Sequence, residues 1–154
     1  MKNDLGKLCA LLFACEGKAY SFRQLKIVIY ALSEGSKETL NLPKIFSYKF
    51  DGNDFAGPDD DDLRDDLQWL NDAGYILAKK TSLEGCSEHT LYELTEKGKE
   101  IGIIAFSQLD EESKKALFKI SNDLKNLHEY PVAKLLEKYA SKWEKAQLEI
   151  LRKS

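Results

Sequence analysis

The chain has 154 residues, 43% hydrophobic and 32% charged, with 23 Lys and Arg against 26 Asp and Glu for a formal net charge of -3. This is the composition of a globular domain, and it excludes a disordered chain; no apolar run approaches the ~18 residues of a membrane span, and the first residues lack the unbroken apolar stretch of a signal peptide. The weak acidity argues against coating nucleic acid with the whole surface, and three cysteines (Cys9, Cys15, Cys86) without CxxC spacing fit a reduced, cytoplasmic protein.

Leu5, Leu8, Leu11, Leu12 and Cys15 recur at helical spacing and predict a first helix that stops near Gly17. Ser21-Phe22-Arg23-Gln24 is a capping box, and it predicts a second helix with Phe22, Leu25, Ile29 and Leu32 on its buried stripe. Phe46, Tyr48 and Phe50 alternate with polar residues, as in a short strand or extended segment. After the breaks at Asp51-Gly52-Asn53-Asp54 and Gly57-Pro58, Asp59 or Asp60 caps a third helix with Leu63, Leu67 and Leu70 on its apolar side and Trp69 alongside. Gly74 stands where a left-handed residue closes that helix.

Two strands follow, Tyr75 to Lys80 and His89 to Leu94, joined as a hairpin with a long tip around Gly85. Thr95 caps a helix running through Ile101, Ile104 and Ala105. Asp110 begins another, with Leu117, Ile120, Leu124 and Leu127 on one face and a break at Tyr130-Pro131. In the last helix Val132, Leu136, Tyr139, Trp143, Ala146 and Ile150 are spaced alternately by four and three, a short coiled-coil-like seam. Leu136, Tyr139, Trp143 and Ile150 either pack back on the domain or join two copies in a homodimer.

This order of elements is that of a winged helix-turn-helix domain, mainly α within an α+β class, over residues 1–108, with a C-terminal helical extension over residues 109–154. The third helix takes the recognition position and the hairpin is the wing. From about residue 5 to residue 108 the chain resembles the YwgA-type family of bacterial and archaeal winged-helix proteins. The resemblance rests on Phe55-Ala56-Gly57-Pro58, Leu63, Asp66-Leu67, Leu70, Gly74-Tyr75-Ile76 and Tyr92-Glu93-Leu94-Thr95-Glu96-Lys97-Gly98. The Panacea-type antitoxin domain has a similar Gly-Pro motif. In that pattern an aromatic residue and a Ser follow Gly-Pro; here Asp59 and Asp60 do. The resemblance implies a fold and offers little established biochemistry.

The charge is concentrated in one place. Residues 59–74 hold seven aspartates and a single cation, Arg64, for a net of -6, so the remainder of the chain sums to +3. Reading bases in the major groove calls on side chains such as Arg64 and Gln68, with Lys79 and Lys80 available on the wing, but aspartates beside phosphates repel. DNA is therefore disfavoured at this helix. Lys18, Arg23 and Lys26 of the first two helices and the lysines of the C-terminal helices remain as phosphate contacts or as ordinary solvated faces. The acidic helix itself has three readings: surplus surface charge, a docking face for a basic protein partner through Asp61, Asp62, Asp65 and Asp66, or a divalent-cation site. Calcium-loop spacing fails from Asp51, where Phe55 takes the fifth position, and from Asp59, where Leu63 does.

The two histidines, His89 and His128, carry no motif, Cys9 and Cys15 lie on an apolar helix, and there is no phosphate loop. No catalytic residue, metal or cofactor is expected. The reading is a non-enzymatic protein acting by macromolecular recognition, with a conventional DNA-binding regulator or an antitoxin-like module as alternatives.

Overall fold

The computed structural model describes residues 3–16, 20–33, 42–50, 61–81, 89–125 and 138–139. In chain order these form α1 (Asn3–Ala14), β1 (Tyr20–Ser21), α2 (Phe22–Ala31), α3 (Asp61–Asp72), β2 (Ile76–Thr81), β3 (His89–Leu94), α4 (Glu96–Ser107) and α5 (Glu111–Lys125). The chain is mainly helical, with one small antiparallel sheet in the order β1-β3-β2. Among the described residues no helix is long and apolar enough to cross a membrane.

Local chemistry places most boundaries. The Ser21 hydroxyl accepts from Gln24 N–H at 3.2 Å and the Gln24 side chain accepts from Ser21 N–H at 2.9 Å, closing the capping box. Thr95 Oγ1 accepts from Gly98 N–H at 3.1 Å, and Asp110 Oδ1 accepts from Ser113 N–H at 2.7 Å. Gly74, at φ +84°, supplies the left-handed turn after α3, where Tyr75 N–H reaches back to Leu70 C=O at 2.9 Å.

The second helix departs from the one-sided stripe. Leu25, Ile29 and Leu32 are buried as expected, but so are Ile27, Val28, Tyr30 and Ala31. Even Lys26 is only 2% exposed, which removes it from any DNA-facing surface. The enclosing layer is the segment 42–50. Ile45 and Phe46 both donate their N–H groups to Leu32 C=O, at 2.8 and 2.9 Å, and Phe50 packs edge-on against Tyr30. That segment alternates as its sequence predicts, with Phe46, Tyr48 and Phe50 inward and Ser47 and Lys49 outward, yet it joins no sheet. The strand that does pair is Tyr20–Ser21, opposite Tyr92 and Leu91 of β3.

On α4, Gly98 and Gly102 face inward while Ile103 and Ile104 are exposed, so Ile104 is not part of the packed side. Gly102 lets α4 lie directly on α1: a Cβ there would stand 2.7 Å from Cys9 C=O. α5 packs on α1 through a continuous core that includes Leu117, Ile120 and Leu124. Tyr139 is fully buried in the same core, and its hydroxyl donates to the Asp123 carboxylate, which Lys138 Nζ also meets at 2.8 Å. Of the proposed dimer seam, Tyr139 is thus occupied within its own chain; Leu136, Trp143 and Ile150 lie outside the described residues.

Candidate functional site

The face of α3 turned away from the core is built by helical periodicity. Leu63, Leu67 and Leu70 point inward, leaving Asp61, Asp62, Arg64, Asp65, Gln68, Trp69 and Asp72 exposed. Asp62, Asp65, Trp69 and Asp72 are spaced by three, four and three residues, which sets them along one stripe of a helix with 3.6 residues per turn. Trp69 is 48% exposed and lies within that stripe of carboxylates. Arg64 stands on the opposite margin, where its guanidinium lies 5.3 Å from the centroid of Phe22.

Asp66 departs from the docking quartet expected on this helix. It is 7% exposed and accepts a hydrogen bond from the Tyr48 hydroxyl at 2.6 Å. Helical phase sets it on the leucine side, and the phenol of the 42–50 segment satisfies its oxygen. Asp72 takes its place on the outer face and accepts from Gln68 Nε2 at 2.8 Å, so Gln68 is engaged with a neighbour on its own helix.

The indole is held in place. Trp69 stacks on Tyr75 with centroids 6.0 Å apart and planes 13° apart, and Lys97 Nζ lies 4.4 Å from the Tyr75 centroid. Lys97 also donates to Ala73 C=O at 2.9 Å, a cation on the negative end of the α3 dipole. Asn71 Oδ1 accepts the Ala78 N–H at 2.9 Å and couples α3 to β2.

On the hairpin the two lysines do not form one patch. Successive residues of a strand face opposite sides. Lys79 pairs diagonally across the sheet with Glu93 at 2.9 Å, beside the exposed Leu77, whereas Lys80 shares its side with Ala78 and Ile76. Arg64 adds little to a phosphate-binding surface, since it lies against the aromatic group of Phe22 and Tyr92. Burial pushes the Tyr92 phenol up, and the nearby Arg64 guanidinium pulls it the other way.

The exposed carboxylates of α3 suit guanidinium or ammonium groups and repel phosphate, and the indole offers a face for a cation. Among the described residues no group of three or more His, Cys, Asp or Glu is disposed to hold a metal ion. Trp69 was the functional candidate that the apolar pattern concealed; its signal in the sequence is an indole flanked by Asp65 four residues before and Asp72 three residues after. No family model matches the chain, and no curated protein or solved structure matches it either.

Proposed function

We propose that the chain is a winged-helix protein that works by macromolecular recognition without catalysis, and that α3 docks a basic segment of a protein partner instead of DNA. The element order α1-β1-α2-α3-β2-β3 and the sheet order β1-β3-β2 support the winged-helix reading, with α3 in the recognition position and β2-β3 as the wing. The observation that carries the docking surface is the half-exposed Trp69 held on Tyr75 within the stripe of Asp62, Asp65 and Asp72. An anchored indole beside carboxylates on one helix face can take up an arginine side chain by cation–π and charge-assisted contacts together.

The test uses the full chain carrying Trp143→Phe, which leaves Trp69 as the sole tryptophan. Its emission is followed on titration with octa-arginine and, separately, with a duplex DNA. Saturable binding of the peptide is expected to weaken when salt is raised and when Asp61, Asp62, Asp65 and Asp72 are all changed to Asn. Trp69→Ala is expected to weaken binding, measured by calorimetry, about two- to fivefold, the worth of an exposed cation–π contact. Unchanged peptide binding by the fourfold Asn variant overturns the docking face; tight, salt-dependent binding of the duplex in its place restores the DNA reading.

A further inference from the structure

A cavity of about 360 Å³ is lined by Phe13, Ala14, Glu16, Leu94, Lys99, Phe118 and Lys125. It lies where the end of α1, the end of β3, the first turn of α4 and the second half of α5 converge. We propose that this cavity is a binding site for a small organic carboxylate whose apolar body lies between Phe13 and Phe118 and whose anionic head meets Lys125 and Lys99.

The size falls within the range of small-molecule sites. The walls are mostly apolar, and the aromatic ones are fixed: Phe106 packs edge-on against Phe13 at 6.0 Å and against Phe118 at 5.3 Å. Against these walls the charge is unbalanced in favour of cations, two lysines to one glutamate. The Lys125 side chain is only 20% exposed, and its ion-pair partner at 3.0 Å, Glu16, is 68% exposed on the rim. Lys99 pairs with Glu96 at 2.9 Å, a contact along one helix with the glutamate almost wholly in solvent. The exposed Lys99–Glu96 pair is weak, so Lys99 can turn to a second anion at little cost, while Lys125 can meet such an anion beside Glu16. A mostly buried ammonium gains most from such an anion, since water solvates it poorly. A neutral apolar ligand would make no use of the net positive charge of the lining, and an amine would meet two ammonium groups against the one Glu16 carboxylate.

The full chain is titrated with 2-naphthoate, with its neutral counterpart 2-naphthalenemethanol and with 2-naphthylmethylamine. Affinity is read by calorimetry and location by NMR shifts of labelled phenylalanine rings. Naphthoate is expected to bind with shifts at Phe13 and Phe118, and the alcohol at least about tenfold more weakly, the worth of a charge-assisted hydrogen bond. Lys125→Gln is expected to lose about tenfold or more in naphthoate affinity by the same reasoning, and Lys99→Gln, at an exposed position, to lose less. Glu16→Gln is expected to tighten binding, because it removes the one acidic group on the lining. Equal affinity for the alcohol or the amine, shifts confined to other rings, or no binding of naphthoate at millimolar concentration each overturn the proposal. Should Lys125→Gln fail to fold, Lys99→Gln and the comparison of the three ligands on the unaltered chain decide it.

Discussion

Replacing Gly98 by Ala probes the joint between the sheet and α4. A Cβ built at Gly98 stands 2.0 Å from Tyr75 C=O oxygen and 2.8 Å from Leu94 Cδ1. Moving from 2.0 Å to the 3.4 Å at which ordinary contact begins requires an opening of about 1.4 Å, and the atom in the way is backbone. That oxygen accepts from Thr95 N–H at 3.1 Å and from Thr95 Oγ1 at 2.9 Å, so the opening also strains both bonds. Overpacking typically costs about 1–3 kcal/mol and each bond is worth about 1 kcal/mol, while the helix propensity of Ala returns at most about 1 kcal/mol. A net loss of about 3 kcal/mol follows, or about 6–12 °C in Tm for a chain of this length. The internal control is Gly6→Ala. There the new Cβ meets Ala105 Cβ at 3.4 Å, so the propensity gain stands and Tm rises by up to about 4 °C. Thermal unfolding followed by circular dichroism measures both variants. If Gly98→Ala unfolds at the temperature of the unaltered chain, the close approach of α4 to Tyr75 is wrong.

Tyr48→Phe removes the donor that reaches buried Asp66 at 2.6 Å and should cost about 1.5–3 kcal/mol in urea unfolding. Hydrogen bonds from the N–H and hydroxyl of Ser113 hold the Asp110 carboxyl below its ordinary value of 3.8. Because the folded value is the lower one, this contribution is present above pH 3.8 and is lost as the pH falls through the lowered value. Urea midpoints of the unaltered chain should therefore fall more steeply in that acid range than those of Asp110→Asn; parallel curves would count against the cap. Burial raises the Cys9 thiol to about 11, so at neutral pH iodoacetamide should leave Cys9 unlabelled until the chain unfolds, as mass spectrometry of the digested protein would reveal.

What the sequence made legible was chemistry acting over three or four residues. Ser21 and Gln24, Thr95 with Gly98, Asp110 with Ser113, and Gly74 after α3 each close a local ring, and each stands where the residue types place it. Pairings between distant segments were not legible. Tyr20–Ser21 carries no strand pattern of its own and becomes a strand only because Tyr92 and Leu91 arrive beside it. The alternation of Phe46, Tyr48 and Phe50 correctly encoded which residues turn inward, but alternation cannot say whether a neighbouring strand exists; α2 lies there instead. The same limit applied at the candidate site. Asp61, Asp62 and Asp65 face outward as helical phase dictates, and the same phase sets Asp66 on the leucine side; the distant Tyr48 hydroxyl that satisfies its carboxylate there was not legible. Lys79 and Lys80, both available on the hairpin by sequence, lie on its opposite sides, and the Glu93 partner of Lys79 came only with the strand pairing.

The Asn71–Ala78 bond has a mechanical consequence. Together with the Gly74 turn and the Tyr75–Leu70 bond it leaves no slack between the end of α3 and the start of β2. The last turn of α3 and the first residues of β2 are therefore tied at two points, on either side of Gly74. The position of Trp69 and the start of the hairpin are in this way fixed by the same few bonds.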